Sequence, residues 1–81
     1  MEEEYNLIHA NIKRLLSAKS VKEISGKIKG EWELHEISHI HGMPRNVEFS
    51  AAFTNGGACL FVSAKINRQT AKISNIEIRE I

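Results

Sequence analysis

The apolar positions of this chain change period at Gly26: before it they recur every three to four residues, and after it every second residue. Over residues 3–18, Tyr5, Ile8, Ile12, Leu15 and Leu16 fall on one stripe at helical spacing. Asn11, Lys13, Arg14 and Ser17 lie mostly elsewhere, which predicts an amphipathic helix. Glutamates at its start and Lys13, Arg14 and Lys19 toward its end suit the helix dipole. Leu7 sits beside the stripe and is expected to widen the buried face. Ser20-Val21-Lys22-Glu23 has the form of a capping box. It predicts a short helix or single turn over 20–26, closed by a left-handed Gly26. The competing reading starts the first strand at Ile24.

From Lys27 onward Ile28, Trp32, Leu34 and Ile40 occupy even positions, while Lys29, Glu31, Glu33, His35 and His39 occupy odd ones. That is a strand with one wet face, bent or interrupted at Gly30. The run His41 to Asn46 contains Gly42 and Pro44 and predicts a break. Val47, Phe49, Ala51 and Phe53 then alternate with Glu48, Ser50 and Thr54. Asn55-Gly56 predicts a type I′ hairpin, with Gly57 able to shift the loop by one residue. The segment Ala58 to Ile66 is apolar on both faces, which predicts a central strand covered on both sides. Asn67-Arg68-Gln69 marks the next turn. Beyond it Ala71 and Ile73 are odd but Ile76 and Ile78 are even, so a β-bulge is expected around Ser74-Asn75. The expected fold is α+β over one domain, 1–81. It has an N-terminal helix, with a short second one, packed on a four-stranded antiparallel meander.

Composition narrows the function classes. A domain of 81 residues has a thin core, and association with a partner or a second copy adds burial it lacks. Eleven basic against ten acidic residues give a net charge of +1, no bulk argument for nucleic acid. The local lysines from Lys13 to Lys29 read as a solvated face, offset by the three leading glutamates. The hydrophobic fraction of 42% and mean hydropathy of −0.27 suit a folded soluble chain. A single cysteine, Cys59, fits a reducing compartment. The first residues do not form a signal peptide, and no apolar run approaches the ~18–20 residues of a membrane span. The expected compartment is cytoplasmic, with no membrane partner.

The chemical candidate is the segment His35 to His41, with three histidines in seven residues. On a strand His39 and His41 share a face about 7 Å apart, within bridging reach of one ion, whereas His35 lies about 13 Å from His39. The letters His35-Glu36-Ile37-Ser38-His39 match a metalloprotease pattern, but that pattern needs a helix and the surrounding residues favour a strand. Cys59 follows Gly56-Gly57-Ala58 and reads as a packed residue rather than a nucleophile. The chain contains no aspartate, which removes the familiar third member of a nucleophile triad. Phe49, Phe53, Phe61 and Trp32 are expected in the core rather than on an RNA-stacking surface.

The sequence therefore predicts a non-enzymatic protein-interaction module without a cofactor, binding a partner protein or a second copy of itself. The alternative is a small-ligand or metal-binding protein centred on His35, His39, His41 and Glu48.

Overall fold

Helices α1 (Glu2–Ala10), α2 (Ile12–Leu16) and α3 (Lys19–Ser25) precede strands β1 (Glu33–Gly42), β2 (Asn46–Asn55), β3 (Ala58–Asn67) and β4 (Ile73–Glu80). The structure is a computed structural model and describes residues 2–80. The strands form one antiparallel sheet in the order β1-β2-β3-β4, and the helical segment packs on one of its faces. This is the α+β arrangement that the change of period predicts.

The helix expected over 3–18 is broken in two at Asn11. Its Nδ2 donates to the Leu7 carbonyl at 2.8 Å, which is the acceptor an unbroken helix would offer to the Asn11 backbone N–H. That N–H turns instead to the Ile8 carbonyl at 3.0 Å. With the stripe interrupted, Leu7 and Ile8 both face the core. Tyr5, expected inside, is 41% exposed and stacks on His9 with ring centroids 5.9 Å apart.

Residues 20–26 are helical rather than extended, but the predicted capping box does not form. The helix begins two residues earlier than a Ser20 cap would start it, so Ala18 is its N-cap and Ser20 lies inside it. Val21 is fully buried by this placement. Gly26 has a right-handed φ of −69°, not the left-handed value expected. Glycine is needed there for closeness, because a Cβ would lie 2.8 Å from the Lys22 carbonyl oxygen. Trp32 Nε1 donates at 3.1 Å to the Ser25 carbonyl, one of the last of α3, which also accepts from the Ile28 N–H at 3.3 Å. Ile28, expected on the inner face of a strand, lies in the turn after α3 and is 40% exposed.

In β2 and β3 the alternation is strict. Val47, Phe49, Ala51 and Phe53 pair with Ile66, Ala64, Val62 and Leu60, and all eight are buried. Ile8, Leu15 and Val21 close the core from the helices. The β2–β3 hairpin turns on Gly56-Gly57, with Asn55 paired to Ala58, so the loop is shifted by one residue from Asn55-Gly56. Gly56 alone in that loop has positive φ, 61°, the pattern of a type II′ turn. The expected bulge in β4 is present: Ser63 pairs with Glu77 but Lys65 with Ser74, leaving an extra residue, and Asn75 has φ 53°. β1 carries two more irregularities, after Leu34 and after Ser38, the second containing His39 at φ 52°.

One expectation fails in an informative way. β3 lies inside the sheet but is covered on one side only. Phe61, expected in the core, is 39% exposed on the face away from the helices. The apolar run through β3 reads like a strand buried on both faces, yet the chain has only one helical layer to offer.

Candidate functional site

The register sets the uncovered face in parallel rows, each crossing all four strands. One row runs Glu36, Ala52, Phe61, Arg79; the next runs Ser38, Ser50, Ser63, Glu77; the third runs His41, Glu48, Lys65, Ser74. In β2 and β3 these are the alternate positions to the buried set, and in β1 and β4 the bulges reset the phase that brings their residues into the same rows. The rows hold an aromatic ring, small residues, hydroxyls and charges of both signs. At the centre Ser50 and Ser63 join hydroxyl to hydroxyl, with Oγ atoms 2.9 Å apart.

Two adjoining hollows occupy this face. One, of about 410 Å³, is bordered by His39, His41, Glu48, Lys65 and Glu77. The other, of about 460 Å³, is bordered by Glu36, Phe61, Glu77 and Arg79, and both touch His39, Ser50 and Ser63. The bulge after Ser38 brings His39 to the same hollow as His41, whereas plain alternation from Ser38 would turn it toward the helices.

Of the residues singled out in the sequence, His39, His41 and Glu48 therefore border one hollow, while His35 borders neither. His35 is the extra residue of the first β1 irregularity, between Leu34 paired with Phe53 and Glu36 paired with Ala52. The segment is a twice-bulged β-strand and not a helix, so the helical metalloprotease geometry does not arise. Among the described residues, no three His, Cys, Asp or Glu side chains are grouped to hold a metal ion. His39 Nδ1 lies 3.4 Å from the hydroxyl of its neighbour Ser38. Cys59 is half-buried and pairs with Thr54 at the hairpin end of the same face.

The residues that sequence reasoning missed are Phe61 and Arg79. Phe61 was assigned to the core on apolar character alone, although it sits one step out of phase with Leu60 and Val62. Arg79 faces outward across from Phe61 only because the β4 bulge resets the phase of that strand. No helix among the described residues is long and apolar enough to cross a membrane. Compared with models of protein families, with curated proteins and with solved structures, the chain matches none.

Proposed function

We propose that this chain is a non-enzymatic protein-interaction module, and that it binds through the uncovered face of its sheet. The observation that carries this reading is Phe61, a large aromatic 39% exposed on an inner strand of that face and flanked by Ala52 and Arg79. Aromatic and arginine side chains on a surface are the types that most often anchor protein interfaces. Binding through a sheet edge is disfavoured, because both edge strands carry bulges that interrupt the row of backbone donors and acceptors a new strand would need. Two such interruptions lie in β1, and β4 has one at Asn75.

A photoreactive benzoylphenylalanine at position 61 tests the reading, with the same group at the exposed Glu23 of α3 as the comparison. Protein adducts from position 61 and none from position 23 are the expected result. Equal labelling from both positions, or none from either, overturns it.

The second reading is a small ligand, or a metal ion held by fewer than three of the side chains, in the 410 Å³ hollow that His39, His41 and Glu48 border. A zinc titration followed by NMR decides it: saturable shifts confined to the His39 and His41 rings support this alternative, and their absence removes it.

A further inference from the structure

We propose that the occupant of the open sheet face is a second copy of the same chain, stacked face to face about a two-fold axis. The axis runs along the strands, between the two sheets, midway between β2 and β3. This rests on the reading that the face is where the domain binds, and it names the partner.

The argument is one of pattern. Such an axis exchanges β1 with β4 and β2 with β3 and leaves each row at its own height. Glu36 then meets Arg79 of the second copy, and Ala52 meets its Phe61. In the third row Glu48 meets Lys65. In the middle row Ser50 meets Ser63, and Glu77 meets the hydroxyl of Ser38. Every charged residue of these rows thus faces an opposite charge or a hydroxyl, and the one large ring faces the one methyl side chain of its row. Each relation occurs twice, as an isologous contact requires.

The backbone follows the same symmetry. The bulge of β1 that contains His39 lies between the rows of Ser38 and His41, and the bulge of β4 that contains Asn75 lies between the rows of Glu77 and Ser74. These are the same two rows. Both bulge residues hold nearly the same left-handed φ, 52° and 53°. The axis therefore sets one bulge over the other, so the backbone irregularities obey the same symmetry as the charges.

The other in-plane two-fold, perpendicular to the strands through the middle row, fails this test. It sets Glu77 against Glu77, Phe61 against Lys65 and Ala52 against Glu48. Complementarity thus selects one axis. The area sets the strength: four strands at ~4.8 Å and rows ~7 Å apart give a face of roughly 400 Å². Two such faces fall below the ~1,200 Å² of a standard interface, so the pairing is reversible and concentration-dependent.

Glu36 and Arg79 give a clean test, because both are exposed and stand about three strand spacings, or ~14 Å, apart within one chain. They do not pair internally. Sedimentation equilibrium from micromolar to millimolar protein is expected to show a monomer–dimer equilibrium for the native chain. E36R and R79E should each weaken it about tenfold, since two attractive contacts become repulsive ones. The E36R/R79E chain should recover the native constant, and the circular dichroism of each single variant should match that of the native chain.

A native chain that stays monomeric, a dimer indifferent to the single reversals, or a double variant that does not recover overturns the proposal. The mass of the position 61 adduct separates this failure from that of the face reading. An adduct of twice 9.1 kDa is the expected product. A foreign mass leaves the face as a binding surface but ends self-pairing, and no adduct at all ends both.

Discussion

Glu4 of the first helix and Arg68 of the β3–β4 turn are 64 residues apart in sequence, yet their Oε2 and Nη2 atoms are 3.3 Å apart. Arg68 Nε also donates to the Met43 carbonyl at 2.8 Å. One guanidinium thus ties the helical layer, the β1–β2 connection and the β3–β4 turn together. Gly42 lines the same place, where an added Cβ would lie 2.7 Å from Arg68 Nη2 and 3.1 Å from Glu4 Oε2.

Arg68→Ala should lower stability by about 1–2 kcal/mol, most of it from the hydrogen bond to the half-buried Met43 carbonyl. The Glu4 ion pair adds little, because both side chains are partly solvated and screened. Gly42→Ala should have a smaller effect of the same sign, because only the flexible end of Arg68 must move. Thermal unfolding followed by the fluorescence of Trp32, the single tryptophan, measures both. An unchanged midpoint for Arg68→Ala would contradict this account of the bridge.

Phe53 and Phe61 separate the two faces of the sheet. Phe53 is 0% exposed and paired with Leu60 in the core. Phe53→Ala should cost about 3–5 kcal/mol, enough to unfold much of so small a domain. Phe61→Ser should stay within about 1 kcal/mol of the native chain, because its ring already meets water. Denaturant midpoints compare the two, and a reversal of this order would mean that the face assignment is wrong.

The third helix starts without a side-chain cap, since Ala18 holds the N-cap position with φ −62° and ψ 140°. These are extended values that a serine adopts equally well. Ala18→Ser should therefore raise stability by about 0.5–1 kcal/mol by giving an orphan N–H of the first turn an acceptor. A fall in the unfolding midpoint would show that the half-buried methyl contributes more to packing than the cap supplies.

The change of period at Gly26, the four strands, their order and the β4 bulge were all legible in the sequence, because each follows from alternation that a buried face enforces. What escaped was local competition for hydrogen bonds. Asn11 reads as an ordinary outward helix residue, and only its amide reaching the Leu7 carbonyl breaks the helix. Ser20 and Glu23 have the right spacing for a capping box, but the helix starts at Lys19 with Val21 buried, which leaves Ser20 inside it and not at its N-cap. The histidine segment reads as a strand and forms one, with irregularities at His35 and His39. The outward placement of Phe61 was missed because apolar character was allowed to outweigh phase. Register did the rest, since rows across four strands depend on where each hairpin turns and where each bulge falls.

The central claim is that this domain engages its partner through the sheet face the helices leave bare, and amide NMR spectra across a dilution series test it most directly. Concentration-dependent shifts should concentrate at Ser50, Ala52, Phe61 and Ser63, with the helix amides of Ile12–Leu16 and Lys19–Ser25 unmoved. Shifts confined to the helices, or a spectrum indifferent to concentration together with an unlabelled position 61, would contradict it.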